Sequence, residues 1–265
     1  MATNGIPFHQ NQMRSTQNAS ALASGVRLKK TEQKIILVTG ASGGIGSALV
    51  MVLAKDYRVI ALTHRNPLPA SLQTLPTVSV VEADLQSPGW EATLSDVLEE
   101  SPLYGIIHAA WPGLPHGGLL HADSQVLEQQ LASGIVPVAL ARFLYSHAEP
   151  DGGRCILLGS NSGRQRPFLT YANYFLGKTV LQQTARLLAP ELARKKITIN
   201  VLNPSFMSVG VNKQVGNRQV AMETAVIPMG RLCQPDDIIG IVRYLLSPES
   251  SFVSGQVINL TGAQL

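Results

Sequence analysis

The chain has 265 residues, of which 14% are charged and 5% aromatic, and its net charge is +4. That length suits one large α/β domain with a sizeable core, and no run of 18 apolar residues is present to span a bilayer. Residues 1–33 carry Arg14, Arg27, Lys29 and Lys30 against Glu32 alone, a net +3, which leaves the body only +1, so no nucleic-acid surface is expected.

Residues 1–33 are rich in Asn, Gln, Ser and Ala and lack hydrophobic periodicity, so they read as a disordered tail. The tail has no apolar core of a secretory signal, and its arginines are sparse for a transit peptide, so a cytoplasmic location is expected. The domain follows over 34–265. Lys34–Thr39 is a continuous apolar run, the pattern of a parallel strand buried on both faces. A glycine-rich turn comes next, then helical spacing over Ile45–Lys55. Arg58–Thr63 and Val78–Glu82 read as strands and Trp90–Glu100 as a helix. Tyr104–Ala109 is a fourth strand, and a long helical pattern over Ser124–His147 contains Pro137. Arg154–Gly159 is a fifth strand, and a helix covers about Thr170–Arg194. Ile197–Leu202 is a sixth strand, Asp236–Leu246 a helix and Val257–Leu260 the last strand. This alternation, without internal repeats, predicts a Rossmann-like, doubly wound, mostly parallel seven-stranded sheet with helices on both faces, in one domain. Cys155 and Cys233 lie far apart and read as small buried hydrophobes in a reducing compartment. No metal site is expected.

In such sheets ligands bind beyond the carboxyl ends of the strands. The turn Gly40, Ala41, Ser42, Gly43, Gly44, Ile45, Gly46 joins the first strand to the first helix, where backbone amides can approach a pyrophosphate. The second strand ends in Thr63-His64-Arg65. No carboxylate is there to bind a ribose 2′-hydroxyl, and His64 and Arg65 suit a 2′-phosphate, which predicts NADP(H) over NAD(H). Asp84 and Leu85 follow the third strand and are expected at the adenine. Ala109 and Ala110 follow the fourth strand, and Pro204 and Phe206 the sixth; all four are expected on the cofactor side.

Tyr174 and Lys178 stand four residues apart on one predicted helix, and hence on one face. A lysine held there lowers the cost of a tyrosinate, so Tyr174 is expected to be a proton donor of lowered pKa. Tyr171 has Phe175, not lysine, four residues on, and is expected to line the pocket instead.

With these residues in hand, the chain resembles a short-chain dehydrogenase/reductase of the single-domain type related to 3-oxoacyl-[acyl-carrier-protein] reductases. The resemblance runs from Lys34 to Gly262. It rests on Thr39–Gly46, Asp84-Leu85, Tyr174–Lys178, Asn200–Pro204, Gly230-Arg231, Gln234–Asp237 and Ser254–Gln256. It implies a catalytic serine before the tyrosine. Ser160 takes that role one residue further from Tyr174 than is usual, and Ser162, one residue too close, is its competitor and otherwise a pocket residue. Ser133 aligns with the family's helix asparagine, which supports a water chain to the lysine. The family's Asn-Asn-Ala-Gly is replaced by His108-Ala109-Ala110-Trp111. Trp111 is read as pocket wall or core packing, and His108 is given no catalytic role. By the same resemblance Phe206–Ile227, with Phe206 and Met207 at its start, forms a substrate lid or a packed helix, and the protein is a homotetramer or homodimer. The function expected is NADPH-dependent reduction of a small-molecule or carrier-bound ketone, with a 3-oxoacyl or polyketide-like substrate in view. The alternative is a non-catalytic NADP(H)-binding sensor or scaffold.

Overall fold

A computed structural model describes residues 33–161, 170–210 and 216–264. Seven strands, β1 (Ile35–Thr39), β2 (Arg58–Thr63), β3 (Val78–Glu82), β4 (Leu103–His108), β5 (Gly153–Leu158), β6 (Ile197–Pro204) and β7 (Val257–Leu260), form one sheet in the order β3-β2-β1-β4-β5-β6-β7. Every pairing is parallel. The helices are α1 (Gly44–Leu53), α2 (Ala70–Gln73), α3 (Trp90–Leu98), α4 (Ser124–His147), α5 (Ala172–Ala193), α6 (Asn217–Ala225) and α7 (Pro235–Leu246). The seven-stranded, doubly wound fold expected from the sequence is the one observed.

Alternation along each strand divides the core in two. Ile35 and Leu37 of β1 and Cys155 and Leu157 of β5 face the side covered by α3, α4 and α5, where Trp90, Leu94, Leu140, Phe143 and Leu181 are buried. Ile36 and Val38, and Ile156 and Leu158, face the other side, against Leu49 and Val50 of α1 and Ile238 and Val242 of α7. Both cysteines are buried and free.

Two local features place the site. The strand order reverses between β1 and β4, and the crevice beyond their carboxyl ends is the switch point at which such sheets bind ligands. On the α3–α5 side, α4 and α5 cross at Gly134 and Gly177. A Cβ on Gly134 would lie 2.6 Å from the Gly177 carbonyl oxygen, and one on Gly177 would lie 2.5 Å from that of Gln130. Only hydrogen side chains allow that approach. It sets Tyr174 and Lys178 of α5 against the first half of α4. Pro137 is buried within α4, which runs on past it.

Candidate active site

A cleft of about 950 Å³ opens at the switch point. Its cofactor-side expectations lie together. Gly40, Ser42, Gly43, Gly44, Ile45 and Gly46 line it at the end of β1, with His64 and Arg65 after β2, Asp84 and Leu85 after β3, Ala109 and Ala110 after β4, and Pro204 and Phe206 at the end of β6. Trp111, Ser133, Ser160, Tyr171, Tyr174, Lys178 and Met207 line it as well. Ser162 lies outside the described residues, as does the tail up to residue 32.

The glycine turn fits a dinucleotide on its own geometry. Gly40 has φ +64°, and a Cβ on it would lie 2.6 Å from Ala110 Cα, so the turn packs directly against the backbone that leaves β4. Gly43 caps α1 with no side-chain bond, and no acidic residue stands in the first turn. The positive end of α1 therefore faces the cleft without a protein anion, as a pyrophosphate requires. Around Asp84 the charges are arranged in opposition. Burial would raise its carboxyl, but the Gln86 amide, the Ser87 hydroxyl and the neighbouring His64 and Arg65 outweigh it and hold Asp84 below the usual range.

At the other end lies the polar cluster of α5. Tyr174 is buried, and desolvation pushes its phenol up to about 12, with a Ser160 side-chain hydrogen bond acting in the opposite direction. This corrects the expectation of a lowered tyrosine. The physical reason is where the lysine goes. Lys178 Nζ donates to the Leu158 carbonyl at 2.7 Å and stands 3.7 Å from the centre of the Trp111 ring, but 5.8 Å from that of Tyr174. Burial lowers Lys178 itself to about 7. Trp111 meets Tyr174 edge to face at 5.8 Å, and its indole N–H donates to Gln130 Oε1 at 2.8 Å.

Ser133 Oγ donates to the Gln129 carbonyl at 2.8 Å and accepts from Gln86 Nε2 at 2.7 Å. His108 is buried at the end of β4, its Nδ1 2.7 Å from Thr39 Oγ1. Desolvation, and then the charge of Lys178, lower it to about 3, so it is neutral at physiological pH. Tyr171 sits at the cleft against His116, with ring centres 4.9 Å apart. Gln86, Gln129, Gln219 and Glu223 also line the cleft and were not anticipated. Gln86 had a weak signal, two residues past Asp84 in the same loop. The α6 pair had none, because no residue of α6 is buried to mark a face.

The arrangement has close relatives. A family model described as Enoyl-(Acyl carrier protein) reductase matches residues 40–262. An uncharacterized oxidoreductase of Methylorubrum extorquens is 30% identical over 89% of this chain and 99% of its own. The cyclic-di-GMP-binding biofilm dispersal mediator protein of Escherichia coli is 26% identical over 87% of this chain and 96% of its own. Among solved structures, an actinorhodin polyketide ketoreductase variant with NADPH superposes with a TM-score of 0.77 at 25% identity, over 89% of this chain and 99% of that one. A parallel sheet reversing at β1 and β4, a glycine turn that leaves the start of α1 open to a nicotinamide dinucleotide, and a matched family spanning nearly the whole domain lead to one assignment: the chain belongs to the short-chain dehydrogenase/reductase family.

Proposed function

We propose that the protein is an NADP(H)-dependent reductase that converts a ketone carbonyl to an alcohol, with Tyr174 as the acid. One observation carries the reading: Tyr174, Lys178 and the Ser160 hydroxyl meet in the same cleft as the glycine turn and Arg65. Gly40 to Gly46 would hold the pyrophosphate, Arg65 and His64 the 2′-phosphate, Asp84 and Leu85 the adenine, and Lys178 the nicotinamide ribose. The bound nicotinamide would supply a hydride to the carbonyl carbon. The chain's own part is electrostatic. Negative charge grows on the carbonyl oxygen, and the site needs a donor aimed there. A phenol held near 12 keeps its proton at neutral pH and can give it to that oxygen. Ser160 orients the oxygen by a hydrogen bond. Lys178 offsets the charge left on Tyr174 once the proton has gone.

The substrate side is formed by Trp111, Tyr171, Phe206 and Met207, with α6 alongside. That mixture of rings and thioether suits a 3-oxoacyl or polyketide-like ketone, in keeping with the ketoreductase among the relatives. No described helix is long and apolar enough to cross a membrane; we place the protein in the cytoplasm. We place its self-association on α4 and α5, where Ile135 and Leu187 are 56% and 74% exposed, giving a dimer or tetramer in solution.

The test is NADPH consumption over a panel of β-keto esters, diketones and quinones, with Tyr174→Phe as the comparison. The variant should lose about a hundredfold or more in turnover and keep its NADPH affinity. Tight NADPH binding by the native chain with no turnover on any carbonyl would favour the non-catalytic sensor; substantial activity in Tyr174→Phe would remove the tyrosine from the mechanism.

A further inference from the structure

We propose that Trp111 is the positioning residue for Lys178: its indole face holds the buried ammonium charged and aimed between Tyr174 and the cleft. The inference rests on the reading of Tyr174 and Lys178 as the catalytic pair.

Lys178 is 5% exposed, and among the described residues no carboxylate pairs with it. An ammonium has three N–H donors, and the Leu158 carbonyl accepts one. The other group against it is the Trp111 ring at 3.7 Å, within the range where an indole quadrupole attracts a cation. The titratable groups that face Lys178 are His108 from β4 and Tyr174 from α5, and neither carries negative charge near neutral pH. Burial drives Lys178 toward neutrality, and a neutral amine would neither offset a tyrosinate nor serve as three donors. The indole is the described side chain that opposes that drive.

Trp111 is itself fixed. Gln130 of α4 accepts its N–H at 2.8 Å, and Tyr174 meets it edge to face. Gly177, the residue before Lys178, makes room for it, since a Cβ there would lie 3.0 Å from Trp111 Cζ2. Three elements thus converge on one ring: the loop after β4 supplies it, α4 orients it and α5 leaves space for it.

The experiment uses Trp111→Leu and Trp111→Phe, with kcat/KM followed against pH. In Trp111→Leu the alkaline limb, where Lys178 gives up its proton, should move down by about one pH unit. Trp111→Phe should move it less, because a phenyl face is a weaker partner. Affinity for the oxidised cofactor at pH 5, where Lys178 stays charged in native and variant chains alike, should remain near native. An unmoved limb in a folded Trp111→Leu protein overturns the proposal.

A second measurement needs neither turnover nor a change at Trp111. The chain has two tryptophans, Trp90 and Trp111. In Trp90→Phe, Trp111 is the sole indole, and its emission should titrate near pH 7 and cease to do so on adding Lys178→Met. His108 and Tyr174 titrate too far away, at about 3 and about 12, to mimic this. Emission independent of pH between 6 and 9 overturns the pairing. A normal titration in a chain that reduces no carbonyl would instead mean that the pairing stands and the reductase reading falls.

Discussion

Gln86, in the loop after β3, donates from its side-chain nitrogen to the hydroxyl of Ser133 on α4 at 2.7 Å, and that hydroxyl donates on to the Gln129 carbonyl at 2.8 Å. The residue aligned with the family's helix asparagine is therefore engaged as a tie between the loop after β3 and α4. Ser133→Ala should cut this tie, but Gln86 is exposed and its amide can turn to water, so the cost in stability should stay below about 1 kcal/mol. Turnover should fall by no more than about threefold, since Tyr174 and Ser160, the proposed acid and its partner, are untouched. Urea unfolding and kcat measured on the same preparation check this. A hundredfold loss of kcat with unchanged stability would give the hydroxyl a direct part in proton delivery.

The α4–α5 crossing makes a second prediction with a built-in control. Helix propensity alone favours alanine over glycine by about 1 kcal/mol. At Gly177 a Cβ would lie 2.5 Å from the Gln130 carbonyl oxygen and 3.0 Å from the Trp111 ring, so Gly177→Ala should destabilise by about 1–3 kcal/mol despite its propensity. Gly240, exposed on α7, has nothing within 4 Å of the same position, and Gly240→Ala should stabilise. Thermal unfolding of the two variants should move in opposite directions. A gain at both sites would mean that α4 and α5 are not in backbone contact.

What the sequence made legible follows from how local each signal is. Apolar runs such as Lys34–Thr39 and the 3.6-residue spacing of the long helices depend on near neighbours, and these elements came out within two residues of their observed ends, as with Ile35–Thr39 and Ala172–Ala193. One helix escaped: Ala70–Gln73 is a single turn, too short for a period. Asn217–Ala225 falls inside the segment Phe206–Ile227 expected as a lid or a packed helix, but it buries no residue, so no stripe marked its ends. The residues expected on the cofactor side sit at or just beyond strand ends, so the topology gathers them once the strand order is known, and Tyr174 and Lys178 join them from α5. The direction of the Tyr174 shift was not legible. The spacing of Tyr174 and Lys178 suggests mutual influence, but the ammonium is drawn to the Leu158 carbonyl and the Trp111 ring, partners distant in sequence. The Gln86–Ser133 tie, 47 residues apart, is hidden for the same reason.

Cofactor choice should reside at the end of β2. Arg65 and His64 stand near enough to Asp84 to help hold its carboxyl down, which sets them together at the edge of the cleft. Arg65→Ala should raise the NADPH KM by about tenfold, the size of a lost charge-assisted pair, and leave the NADH KM within twofold. Added salt should weaken NADPH binding to the native chain more than to the variant. Equal losses for both cofactors would assign Arg65 to the ribose or the loop, not to a 2′-phosphate.

His108 gives the stability of the fold a pH dependence whose sign can be worked out. Its ring is 2% exposed, Nδ1 is 2.7 Å from Thr39 Oγ1, and Nε2 has no hydrogen-bond partner. Desolvation, then the positive Lys178, lower its pKa from 6.5 to about 3. Between those values the unfolded chain binds a proton that the folded chain refuses. Stability is therefore complete above about pH 6.5 and is lost as pH falls toward 3. From pH 6.5 to 5 this one group should cost about 2 kcal/mol. His108→Asn cannot take up the proton and should lose correspondingly less over that interval, whatever its stability at pH 7.5. Urea midpoints of both chains at pH 7.5 and pH 5 measure the difference directly. The comparison cancels the carboxylates, which titrate alike in the two proteins. If both chains weaken in parallel, His108 is protonated in the folded state, and the buried cavity beside Lys178 accepts a second positive charge.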